Sequence, residues 1–161
     1  MEQTVFDHGH DHDHCIADTM TVVEQACDAQ GLQLTPVRRR ALEVLLQEHR
    51  AVGAYEVLEV LRAEGLGGQP PVAYRALKFL VDNGFAHRIE GLNAFIACAH
   101  PSERHAPSFF ICKTCSTVAE VPGRRAVKNL RSAAEELGFV VDTITIEAQG
   151  LCPGCATASA E

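Results

Sequence analysis

An α+β protein is predicted, with an N-terminal winged helix-turn-helix followed by a small α/β unit. Four stretches carry apolar residues at helical spacing, and three of them stop at a glycine. A segment alternating around Gly91-Leu92-Asn93 follows the fourth stretch directly. The remainder mixes short strand-like runs with one helical run, bracketed by two Cys-x-x-Cys phrases.

Residues 1–16 read as a disordered arm, poor in apolar content and alternating Asp with His. The first helical run, "ADTMTVVEQACDAQG", ends at Gly31. "LTPVRRRALEVLLQEH" restarts with Thr35 as N-cap and Pro36 at the first helical position, the preferred order. "AYEVLEVLRAEG" ends at Gly65, and "VAYRALKFLVDNG" ends at Gly84. Val72 cannot cap that fourth helix, so its start could lie earlier, at Gln69-Pro70-Pro71. "FAHRIEGLNAFIAC" then reads as a hairpin. The second half offers strands in "SFFIC", "TVAEV" and "FVVDTITIEAQG", with the helix "RRAVKNLRSAAEELG" among them. The boundary falls between 91 and 97, giving an arm at 1–16, a winged-helix domain at 17–93 and a small α/β domain at 94–158.

Composition bounds the function classes. The chain has 161 residues, 47% apolar and 22% charged, an ordinary globular balance. No run of 18 apolar residues suggests a membrane span, and the acidic, His-rich start lacks the pattern of a secretory signal. A cytoplasmic protein is expected. The net charge of −7 looks adverse for nucleic-acid binding, but residues 1–18 hold five acids and no Lys or Arg, leaving −2 for the remainder. Local patches therefore decide.

On the fourth helix, Ala73, Ala76, Leu77, Leu80 and Val81 share one face, while Tyr74, Arg75 and Lys78 share the opposite one. A recognition helix presents such side chains to a major groove. Arg75 could read a guanine through two hydrogen bonds, and Tyr74 could pack on a thymine methyl or bond a phosphate. Arg38, Arg39 and Arg40 could clamp phosphates from the second helix. An amphipathic helix with a solvated basic edge has the same periodicity; the hairpin that follows favours DNA.

Seven cysteines, an odd number, fit a disulfide framework poorly. Cys112, Cys115, Cys152 and Cys155 instead make a complete tetrahedral thiolate set for Zn²⁺, closed to chemistry and suited to stapling a small unit. Cys27 reads as a buried small side chain, and Cys15 could assist metal capture or do nothing. His87, Cys98, His105 and Glu120 could form a second tetrahedral zinc site drawn from both halves, although isolated histidines are more often surface or satisfied core residues.

Together the phrases "GLQLTPVRRRALEVL", "AYEVLEVLR", "PPVAYRALKFLVDNGFAHRIEGLNAFIAC", "HAPSFFICKTC" and "IEAQGLCPGC" resemble the ferric uptake regulator (Fur) superfamily, specifically its zinc uptake regulator (Zur) branch. The resemblance runs from Val22 to Cys155. It implies a metal-dependent repressor that binds double-stranded operator DNA as a homodimer, with 17–93 as the DNA-binding domain, 94–158 as the zinc-stapled dimerisation domain, and one structural and one regulatory zinc per subunit. The structural site corresponds to Cys112, Cys115, Cys152 and Cys155, and the sensing site to His87, Cys98, His105 and Glu120. The implied role is repression of zinc uptake genes at palindromic operators when zinc is sufficient.

The iron branch usually carries a dense His-Asp cluster before the first Cys-x-x-Cys, where this chain has "HPSERHAPSFFIC". The Cys98 thiolate also favours zinc over the harder iron(II). Departures from the pattern are Val72 in place of a small hydroxyl residue, a compact Cys98–His105 segment in which His100 could supplement a ligand, and the "HGHDHDHC" arm, a solvated tail or a zinc-capturing one. A family regulator sensing another metal such as iron(II), or a zinc store or carrier without specific DNA binding, are the alternatives. An enzyme is not expected: a nucleobase deaminase needs His-x-Glu ahead of Pro-Cys-x-x-Cys, and this chain has no His-x-Glu. Neither a membrane nor a small-molecule substrate is expected as a partner.

Overall fold

The computed structural model describes residues 12–48, 50–101 and 105–158. The chain divides into two compact units, one within residues 8–102 and the other within residues 103–161.

The first unit is a helical cluster with a wing. Helix α1 spans His12–Gln30, α2 Pro36–Gln47, α3 Ala54–Ala63 and α4 Pro70–Asp82. Strands β1 (Ala86–Ile89) and β2 (Ala94–Ala97) form an antiparallel hairpin. Helix α2 starts as its sequence requires: the Arg38 N–H donates to the Thr35 hydroxyl at 3.4 Å, with Pro36 in the first turn. The Glu56 carboxylate caps α3 by accepting the Gly53 N–H at 3.0 Å. Gln69 takes the N-cap position of α4 and Pro70 opens the helix, so the start lies ahead of Val72.

Three buried faces meet in this unit. Leu42 and Leu45 of α2, Leu58 and Leu61 of α3, and Leu77 and Leu80 of α4 are each at most 2% exposed and belong to one core cluster. Truncating any one of them to alanine would cost about 2–5 kcal/mol. Gly84 turns the chain from α4 into the wing. At φ +74 it adopts a left-handed conformation that a side chain resists, and it lets the Phe85 N–H reach back to the Leu80 carbonyl at 2.8 Å. Phe85, 1% exposed, then plugs the core. The hairpin tip is a 3₁₀ turn at Glu90–Leu92 followed by Asn93 at φ 47. Val52 and Phe95 exchange backbone hydrogen bonds of 2.7 and 2.8 Å, tying the wing to the segment before α3.

The second unit is a three-stranded sheet of order β4-β3-β5, with β3 (Pro107–Cys112) central. Strand β4 (Val118–Pro122) runs antiparallel to β3, and β5 (Ile146–Gly150) runs parallel to it. Helix α5 (Arg124–Glu136) is the crossover between them, and a short α6 (Pro153–Ala158) follows β5.

The sequence expectations need three corrections. Helix α1 begins at His12, inside the stretch read as arm; extending an existing helix by one turn costs little and needs no apolar face. The arm's first eleven residues lie outside the described residues. Strand β2 pairs with β1 across Ala86–Ala97, so the hairpin stays whole within the first unit, past the boundary drawn at residue 93. Residues 139–145, read as part of a long strand, form none: β5 begins only at Ile146, where its ladder with β3 begins.

Candidate metal centre and nucleic-acid interface

Two tight turns bring four thiols together at one end of the second unit. Cys112 ends β3, Cys115 lies in the turn before β4, Cys152 follows β5, and Cys155 is on α6. The parallel pairing of β3 with β5 sets Cys112 opposite Gly150, which carries the two Cys-x-x-Cys phrases to the same sheet end. One sulfur from each cysteine lies within 4.8 Å of all the others, and the Cys115 and Cys152 sulfurs are 3.8 Å apart. Zinc–sulfur bonds of about 2.3 Å would set tetrahedral sulfurs about 3.8 Å apart, so the donor set fits the ion.

The electrostatics fit as well. The Cys112 thiol is lowered to about 6, first by the Cys115 N–H and then by the Cys152 N–H, which donates at 3.4 Å. The Thr117 hydroxyl, 3.2 Å from the Cys115 sulfur, lowers that thiol too. Cys155 is pushed up to about 12, chiefly by its hydrogen bond with the Cys152 sulfur and the crowding of the other thiols. Four thiolates so close repel one another, and a divalent cation is the charge that would let all four ionise.

The remaining metal-ligating candidates form two pairs, one in each unit. His87 lies on β1 and Cys98 just past β2, where its N–H donates to the Phe85 carbonyl at 3.0 Å. Their donor atoms lie within 4.8 Å of each other, and the Cys98 sulfur, 1% exposed, accepts the His100 N–H at 3.4 Å. In the second unit, His105 precedes β3 and Glu120 lies on β4, paired in register with Phe109. The His105 Nε2 is 2.6 Å from a Glu120 carboxylate oxygen.

The candidate nucleic-acid contacts are on α2 and α4. Tyr74 is 47% exposed, and Arg75 is exposed with its Nε–H on the Pro71 carbonyl at 3.1 Å. Lys78 pairs with Asp82 at 2.7 Å on the same exposed face. The three arginines of α2 differ. Arg38 lies over the Phe79 ring at 3.8 Å and donates to the Gln33 carbonyl at 2.6 Å, linking α2 to α4. Arg39 forms an ion pair with Glu24 of α1. Arg40 grips both oxygens of Glu64 at 2.7 Å and also reaches Glu43 at 3.2 Å. Sequence pattern alone could not separate these roles, because Phe79, Glu24 and Glu64, the partners that distinguish them, lie outside α2.

No protein-family model matches the chain. Across 139 residues the chain is 32% identical to the zinc uptake regulation protein of Escherichia coli (strain K12), covering 86% of this chain and 81% of that protein. The chain belongs to the zinc uptake regulator family.

Solved Zur structures agree with the fold. One described as a zinc uptake regulator complexed with zinc and DNA superimposes with a TM-score of 0.86 at 31% identity, covering 90% of this chain and 97% of that one. Another, described as holo XcZur, gives 0.80 at 41% identity, covering 87% and 98%. In this Zur-family chain no described helix is long and apolar enough to cross a membrane. Sequence reasoning missed the exposed Tyr55 of α3, 65% accessible; its position two residues before the buried Val57 was the available signal. It also missed the apolar residues that the second unit leaves in solvent, among them Leu137, Phe139 and Val140 at 84%, 66% and 83%.

Proposed function

We propose that this chain is a zinc-responsive transcriptional repressor that binds palindromic operators of zinc uptake genes as a zinc-loaded homodimer. The observation that carries the reading is the match over 97% of the structure described as a zinc uptake regulator complexed with zinc and DNA. The 32% identity to a protein named for zinc uptake regulation supports the same role.

In this reading each subunit holds one structural and one regulatory zinc. Cys112, Cys115, Cys152 and Cys155 hold the first, closing the open end of the β3–β5 sheet. His87, Cys98, His105 and Glu120 hold the second. Each unit supplies only two of these donors, and a four-coordinate ion requires both pairs. A bound zinc would supply the charge that holds the two pairs of donors together. The chain's residues turn its occupancy into a preferred arrangement of the DNA-reading unit against the dimerising one. A hundredfold preference for the bound arrangement is worth about 2.7 kcal/mol.

The first unit binds DNA and the second dimerises. Exposed Leu130, Leu137, Phe139 and Val140 are apolar surface that self-association of the second unit would bury. Tyr74 and Arg75 read bases from α4, and Lys78 and Arg39 contact phosphates. Arg38 and Arg40 lie beside them on α2. Arg40, held by two carboxylates, contributes mainly by fixing α2 against α3. The test is duplex binding at buffered free zinc, on operator DNA selected from random sequence and on scrambled DNA. Zinc-dependent preference for the selected sequence is expected; zinc-independent or indifferent binding contradicts the reading.

A further inference from the structure

The Arg39–Glu24 pair has a consequence for how phosphate reaches this surface, and it rests on the DNA-binding reading above. Arg39 and Glu24 join the start of α2 to α1, and both remain open to solvent, with side chains 43% and 40% accessible. Both line a polar cleft together with Cys27, Asp28, Gln33 and Thr35. An approaching phosphate therefore meets one guanidinium and two carboxylates. The guanidinium is already engaged.

Arg40, one residue on, gives the contrast. Its guanidinium is only 23% accessible and is gripped by both oxygens of Glu64 as well as by Glu43. That double carboxylate clamp joins two helices and is poorly placed for exchange. Glu24 alone holds Arg39, and that guanidinium is the more exposed of the two, 43% against 23%. An exposed ion pair of this kind is weak, and a phosphate oxygen offers the same charge and geometry as the carboxylate it would displace.

We infer that Glu24 is an intramolecular competitor for DNA phosphate, occupying Arg39 in the free protein and lowering its affinity for any duplex. The competition acts on backbone contacts, so it weakens operator and unrelated DNA alike and keeps the free repressor from accumulating on unrelated sequence. Phosphate contacts supply nearly all of non-specific binding, so its effect is largest at low salt. Asp28, in the same cleft, adds to the local repulsion without bonding Arg39.

The test is a double-mutant cycle with full-length, zinc-loaded protein, using fluorescence anisotropy on selected and scrambled duplexes at two salt concentrations. Glu24→Gln is expected to tighten binding to both duplexes by about two- to fivefold at low salt, with less gain at high salt. On an Arg39→Ala background the same change is expected to gain much less, because the released guanidinium is gone and only the carboxylate's repulsion is relieved. Glu24→Ala removes the same carboxylate and should reproduce the gain if the glutamine variant folds poorly. No gain from either variant overturns the inference. An equal gain on the Arg39→Ala background also overturns it, since that would be a bulk charge effect. Failure of the wild type to prefer the selected duplex would contradict the repressor reading instead, while the scrambled-duplex cycle would still report on Glu24.

Discussion

The backbone N–H of Cys152 donates to the sulfur of Cys112 at 3.4 Å, across 40 residues of sequence. This contact joins the end of β5 to the end of β3 and presets two of four donors before any metal is considered. Cys112→Ser would leave three thiols and a poor hydroxyl donor. The expected outcome is loss of one zinc per subunit by elemental analysis, with misfolding or monomer formation in size-exclusion chromatography. A stable, zinc-responsive dimer from this variant would contradict the structural role.

Arg75 and Arg39 should fail in different ways. Arg75 projects from the exposed face of α4 with its Nε–H on the Pro71 carbonyl, which leaves the outer edge of its guanidinium to meet a base. Arg75→Ala is expected to cost about 1–3 kcal/mol on operator DNA and much less on scrambled DNA. Arg39→Ala should weaken both and lower the salt slope by about one. Equal losses on both duplexes for Arg75→Ala would exclude base reading.

Gly123 is required by space rather than by backbone conformation. Its φ of −92 suits any residue, yet a Cβ there would lie 2.1 Å from the Ser108 hydroxyl and 2.9 Å from the Ala106 carbonyl. Gly123→Ala should therefore destabilise the second unit by about 1–3 kcal/mol in thermal melts. Adding Ser108→Ala should recover part of the loss, because the nearest clash is with that hydroxyl. A neutral Gly123→Ala would mean the β3–β4 end is looser than its packing indicates.

Glu56 gives a pH signature. The Arg50 guanidinium at 2.6 Å, and then the Gly53 N–H, hold its carboxyl below the ordinary carboxylate range. A depressed folded-state value adds stability above the unfolded value, and that stability is lost as pH falls through the folded one. Glu56→Gln should therefore cost more at neutral pH than in acid, by about 0.5–1 kcal/mol for so exposed a pair. Urea melts of both proteins at two pH values give this difference, in which any loss common to both cancels. A difference that does not change with pH would mean the pair contributes nothing.

What was legible in the sequence follows physical locality. Thr35-Pro36 and the helix-stopping Gly31, Gly65 and Gly84 act within a few residues, so the start of α2 and the ends of α1, α3 and α4 could be read directly. The four thiols could be read from the narrow donor preference of zinc. A strand, by contrast, is defined by its neighbour, and residues 139–145 have the composition of one but no ladder among the described residues. The pairing of Arg39 with Glu24 and of Arg40 with Glu64 was equally hidden. Fifteen and 24 residues separate these partners, and no pattern within one helix encodes them.

Zinc switching through Cys98 is decided by operator affinity measured against buffered free zinc, with bound zinc counted alongside. The Cys98 sulfur is buried and a serine hydroxyl is a much weaker donor. Cys98→Ser should leave a folded dimer with its four-thiolate zinc, lose the second zinc, and bind operator with the same low affinity at every zinc level. Deletion of residues 1–15 should retain the switch. A Cys98→Ser protein that switches normally, alongside a deletion that does not, would put the sensor in the arm and contradict the account.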